Sequence, residues 1–144
     1  MKAKQFLTDK DHFMTEIEVF ESLKISRANT LNISDVANEN FKGFGVAITG
    51  SSCYNLNSMK SDERKEFLNK IYSDEGLGLS VGRISIGSSD YSAELYSYDD
   101  VPFDTALEHF SVQRDEKYVI PMIKEILAVN PELYLFASPW SPPF

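Results

Sequence analysis

Three short apolar runs, set apart by two helical stretches, restrict what this chain can fold into more than any other feature. The runs cover residues 44–49, 79–86 and 133–137. Between the first two lies a helical stretch over 61–72, whose Phe67, Leu68 and Ile71 share one face opposite Lys and Glu. Gly76 and Gly78 punctuate its end. A long polar and aromatic loop, 87–114, precedes a second helix over 115–129 with an apolar stripe of Val119, Ile120, Ile123, Ile126 and Leu127. Pro121 belongs in its first turns, where a missing N–H costs least, and Asn130-Pro131 ends it. Strand, helix, strand, helix, strand implies parallel strands joined by right-handed crossovers. The runs are nearly continuous rather than alternating, as in strands covered on both faces. An open three-layer sheet and a barrel both fit. A (β/α)8 barrel takes roughly 250 residues. As a barrel, residues 41–144 would be incomplete, and the third strand would be a raw hydrophobic edge prone to self-association.

The first forty residues have a different texture. Acids alternate with apolar residues over 15–21, as on a half-buried strand, and a weaker β-like stretch lies near 30–33. Asn38-Glu39-Asn40 reads as a turn. The chain thus divides into a β segment, 1–40, and an α/β segment, 41–144. With 14 basic and 22 acidic residues the net charge is -8, which argues against a nucleic-acid backbone or an anionic membrane as partner. No run is long enough for a transmembrane segment. The N-terminus is too polar for a signal peptide, which points to the cytoplasm for the sequence as given and to secretion if the true start lies upstream. One cysteine, Cys53, and two histidines offer neither an internal disulfide nor a zinc-type ligand set, and no glycine-rich phosphate loop occurs. No metal or cofactor is expected.

Parallel α/β folds place their sites at the C-terminal ends of the strands. Segments 49–54, 87–92 and 138–144 meet there. They bring Asp90, a carboxylate past the second strand, with Tyr91 beside it, and Trp140, an indole set between prolines past the third. Arg83 lies within the second strand, where its charge needs a partner inside a barrel. An indole stacks on the C–H face of a pyranose and a carboxylate accepts from its hydroxyls, so sugar recognition is one reading. The plainer readings are a turn or cap for Asp90, core for Trp140 and a solvated edge for Arg83.

At these residues the chain resembles glycoside hydrolase family 30, the family of glucosylceramidases and endo-β-1,6-glucanases. The resemblance is carried by residues 43–49 (GFGVAIT), 82–92 (GRISIGSSDYS), 96–102 (YSYDDVP), 109–111, 120–123 and 137–142 (ASPWSP). The first forty residues resemble the family only loosely. The resemblance implies a (β/α)8 barrel, here strands one to three, preceded by strands of a side β-sandwich. It implies retaining hydrolysis of β-glucosides, glucosylceramide or β-glucan. It makes Asp90 a ligand of the glucose hydroxyls and Trp140 the aromatic wall of that subsite. Arg83 becomes a strand-two arginine near the nucleophile, and Tyr91 an aromatic residue beside the sugar-binding Asp. Many members carry an acidic residue where this chain has Gly50, a departure that weakens inference about first-loop contacts.

Retaining glycosidases use two carboxyl groups about 5 Å apart. In the family both are glutamates, the acid/base within an Asn-Glu-Pro motif. No Asn-Glu-Pro occurs in this chain. Both catalytic glutamates are therefore expected beyond Phe144, and the chain is expected to be an incomplete fragment, inactive alone. The alternative is a non-catalytic carbohydrate-binding or half-barrel module. Glu94, Asp99, Asp100, Asp104 and Glu108 in the long loop are expected to be solvated or to cap turns.

Overall fold

The computed structural model describes residues 4–19 and 38–143. The chain forms two compact units, Met1–Asn38 and Glu39–Phe144. In the first, β1 (Gln5–Leu7) pairs antiparallel with β2 (Thr15–Ile17), Phe6 opposite Glu16. Asp9 closes the connection: its Oδ1 accepts the backbone N–H groups of Asp11 at 2.9 Å and His12 at 2.8 Å. These bonds, with the His12 side chain, hold the Asp9 carboxyl below its ordinary pKa. The β-like stretch near 30–33 lies outside the described residues.

In the second unit, β3 (Gly45–Ile48), β4 (Val81–Ile86) and β5 (Tyr134–Pro139) form a parallel sheet in that order. Three helices lie between the strands: α1 (Gly50–Ser58), α2 (Ser61–Tyr72) and α3 (Val119–Val129). A 3-10 turn, Gln113–Glu116, leads into α3. The expected parallel α/β arrangement is present. The helix expected from residue 115 instead breaks at Lys117-Tyr118, because Asp115 is drawn inward by the loop before it. Pro121 then falls in the first turn of α3, as its missing N–H requires.

The sheet register divides the side chains between two faces. Ile48 lies beside Ile84, and Gly82 beside Leu135. This face packs against the helices in a core of Ile48, Cys53, Leu68, Tyr72, Val119, Met122, Ile126 and Leu133. Gly82 is a glycine for a packing reason. A Cβ there would lie 2.7 Å from Leu135 Cδ2 and 2.9 Å from Ile48 Cδ1, well inside contact distance. On α2 the buried residues are Leu68 and Tyr72, while Phe67, expected on the apolar face, is 42% exposed. Arg64 ties α2 to α3, donating from Nε and Nη2 to the two Glu125 oxygens at 2.8 and 3.0 Å. The opposite sheet face carries Gly45, Ala47, Val81, Arg83, Tyr134 and Phe136. Tyr134 and Phe136 remain largely exposed there.

Candidate functional site

The register of β4 and β5 determines what meets at the mouth of the sheet. Ser85 pairs with Ser138 and Ile86 with Pro139, so the segments after both strands emerge side by side. The Trp140 N–H continues the ladder to the Ile86 carbonyl at 3.2 Å. Arg83, two residues before Ser85 and on the same face, reaches along the sheet. Its Nε donates to Ser138 Oγ at 2.9 Å, and its guanidinium carbon lies 4.6 Å from the Trp140 ring centroid. The indole Nε1–H donates in turn to Asp90 Oδ1 at 3.2 Å. Arg83, Trp140 and Asp90 therefore form one string. Among the described residues, the charge of Arg83 is met by a hydroxyl and a π face rather than by a carboxylate. Tyr91 stands outside the string, 71% exposed, next to Asp90 in sequence.

Serines fix the two segments to each other. Gly87 turns the chain after β4 with φ 79°, a left-handed conformation that suits glycine. Ser88, 1% exposed, follows it. Ser141 Oγ donates its one proton to the Ser88 carbonyl at 2.6 Å. In the 3.0 Å contact between the two hydroxyls, Ser88 Oγ is therefore the donor. Ser88 Oγ also accepts from Tyr96 N–H at 3.0 Å, and the Ser88 N–H donates to the Tyr96 carbonyl at 2.8 Å. A turn stabilised by Ser92 holds Asp90 outward: Ser89 N–H donates to Ser92 Oγ, and Ser92 N–H to the Ser89 carbonyl, both at 2.9 Å.

Asp115, 5% exposed, anchors the long loop from below. Its Oδ1 accepts from the Tyr96 hydroxyl at 2.9 Å and its Oδ2 from the Tyr98 hydroxyl. Burial, then these bonds to a carboxylate, push the Tyr96 phenol up to about 12 and raise that of Tyr98 as well. Arg114 crosses the Tyr96 ring at 5.1 Å and pairs with Glu94 at 2.6 Å. Three more loop carboxylates cap turns. Asp100 accepts from the Ser97 hydroxyl and N–H, Asp99 from Val101 N–H and Asp104 from His109 N–H. Those bonds lower the Asp100 and Asp104 pKa values, with the Ser97 hydroxyl the first cause for Asp100 and the His109 N–H for Asp104. Asp115 gave no signal in the sequence, because its partners lie 17 and 19 residues earlier in an aperiodic loop. Among the described residues no cluster of three or more His, Cys, Asp or Glu could hold a metal, and no helix is long and apolar enough to cross a membrane.

Comparison with known proteins bears on the same segments. The glycosyl hydrolase family 30 TIM-barrel domain matches residues 41–144. A putative glucosylceramidase 4 of Caenorhabditis elegans is 40% identical over 103 residues, 70% of this chain and 20% of that protein. The lysosomal acid glucosylceramidase of Mus musculus is 35% identical over 104 residues, 71% of this chain and 20% of that protein. A solved endo-beta1,6-glucanase superposes with a TM-score of 0.65 at 45% identity, covering 71% of this chain and 22% of its own. This chain therefore spans about a fifth of the length of the curated relatives it matches. The chain belongs to glycosyl hydrolase family 30, and residues 41–144 are part of its TIM-barrel domain.

Proposed function

We propose that this chain is the N-terminal part of a retaining β-glycoside hydrolase of the glucosylceramidase type, and that its described residues form one wall of the glucose subsite. The observation that carries this reading is the string Arg83–Trp140–Asp90 at the mouth of the parallel sheet. Trp140 is the stacking wall for a pyranose. Asp90, oriented by the indole N–H, accepts from sugar hydroxyls. Arg83 holds the indole in place and puts a positive charge near the reacting centre. Tyr91 flanks Asp90 at the rim. The acid/base and nucleophile are assigned to sequence beyond Phe144, so this part binds and orients while chemistry needs the rest. Residues 41–144 are read as strands one to three of the barrel, and residues 1–40 as a β segment of a side β-sandwich. The substrate class is a β-glucoside, glucosylceramide or a β-1,6-glucan.

Trp140 is the single tryptophan, so its fluorescence reports this subsite directly. Glucose should change that emission saturably. Asp90→Asn should weaken the response about tenfold, since a hydrogen bond to a charged acceptor contributes roughly 1.5–3 kcal/mol. An unaltered response in Asp90→Asn, or substantial β-glucosidase activity in the purified chain, overturns the reading. A non-catalytic carbohydrate module would use the same three residues. It is favoured if the chain extended through the missing barrel strands still binds sugar without hydrolysing it. The exposed Tyr134 and Phe136 on the uncovered sheet face support self-association of the chain as given.

A further inference from the structure

We propose that a second carbohydrate subsite lies in the cavity between α1, the loop after β4 and the start of α3. It takes the next pyranose of a β-linked glucan whose first unit rests on Trp140. The proposal builds on the assignment of Trp140 and Asp90 made above. The cavity has a volume of about 630 Å³. That lies within the roughly 300–1,000 Å³ of small-ligand sites. Asp90 and Tyr91 line it, whereas Arg83 and Trp140 do not. Asp90 thus belongs to both places: its Oδ1 accepts from the indole, and its residue also borders the cavity.

Three features fit a sugar ring. Gly50 leaves the cavity open on one side, since a Cβ there would meet only Ser92 Oγ, at 3.9 Å. Tyr54 and Tyr118 stand nearly at right angles, centroids 5.4 Å apart and planes at 86°, and make an aromatic corner for a C–H face. The polar groups are of mixed sign. Lys117 lies over the Tyr118 ring at 4.8 Å and forms no ion pair among the described residues. Arg114 is paired with Glu94. Both Asp115 oxygens already accept from tyrosine hydroxyls. The ionisable groups that line the cavity are Asp90, Glu94 and Asp115 against Arg114 and Lys117, three acids and two bases, which leaves a surplus of one negative charge beside the donors and acceptors. Such a site disfavours an anionic ligand and suits a neutral polyhydroxy one.

The test is a 15N-resolved NMR titration of the chain with glucose and with the β-1,6-linked glucose trisaccharide. Wild type, Gly50→Leu, Tyr54→Ala and Trp140→Ala are compared, with thermal melts confirming that each variant folds. Gly50→Leu fills the cavity from the first position of α1, and Tyr54→Ala removes one wall without filling anything. The expected result is trisaccharide binding about tenfold tighter than glucose in wild type, the one of its two added rings that the cavity takes contributing on the order of 1.4 kcal/mol. Both cavity variants should lose that gain and keep their glucose affinity. A trisaccharide no tighter than glucose in wild type overturns the proposal, as does a gain that survives both variants. Should Trp140→Ala keep full glucose affinity while Gly50→Leu removes the trisaccharide gain, the cavity stands as a sugar site and the assignment of Trp140 falls.

Discussion

Ser141 neighbours Trp140, and its two bonds to Ser88 reinforce the direct indole–Asp90 bond in coupling Trp140 to the loop bearing Asp90. Ser141→Ala should loosen the indole, raise its quenching by acrylamide and cost about 1–2 kcal/mol in urea unfolding. Ser141→Thr keeps the hydroxyl and should restore both. Unchanged quenching in Ser141→Ala would mean that Arg83 and Asp90 suffice to position the ring. Cys53, fully buried, supplies a second test. Burial, and then the charge of Asp115, push its thiol from 9.0 up to about 12. A folded-state pKa raised in this way contributes stability below pH 9 that is lost as pH rises through about 12. Tyr96 behaves alike between 10 and about 12. The urea midpoint should therefore fall from about pH 9 upward, and in Cys53→Ala the fall should begin nearer 10. A midpoint flat to pH 11 in the unchanged chain would contradict this. Asp90, Trp140 and Arg83 could be read from the sequence because each sits in or just past an apolar run that fixes its place on the sheet. Asp115 could not, since only the folded loop brings Tyr96 and Tyr98 to it.

Helix α1 shows where element-level reading fails. Its residues, Gly-Ser-Ser-Cys-Tyr-Asn-Leu-Asn-Ser, are weak helix formers, and the sequence places segment 49–54 only past the C-terminal end of the first strand. Packing makes it helical: Cys53 is buried in the core and Leu56 packs against it. The usable signal was Thr49, whose Oγ1 accepts from the Ser52 N–H at 3.2 Å as an N-cap. Thr49→Ala should cost about 1 kcal/mol, and Thr49→Ser much less, in chemical denaturation. Equal loss in both would assign the effect to the missing methyl rather than to the cap. The sheet strands and α2 were legible because continuous apolar runs and a 3.6-residue stripe report burial directly. The start of α3 was not, because a local loop anchor at Asp115 overrides the periodicity there.

At the scale of the molecule, one sheet face is packed by helices and the other is not. Tyr134 and Phe136 on the open face lie exposed at 52% and 42%. An uncovered face with an unpaired strand edge favours association. Sedimentation velocity should show concentration-dependent oligomers, reduced by Phe136→Ser. A monomer across concentrations would show that the face tolerates water. The strand order β3, β4, β5 repeats the order of synthesis. Each strand leaving the ribosome therefore meets a ladder edge already in place and need not wait for a distant partner. The helical cover arrives in two parts: Cys53 and Leu68 come with α1 and α2 before β4, whereas Met122 and Ile126, also fully buried, come from α3. A nascent chain that has paired β3 with β4 thus still lacks the part of its apolar cover that α3 supplies. That last part emerges with α3, shortly before β5 and the Trp140 that follows it.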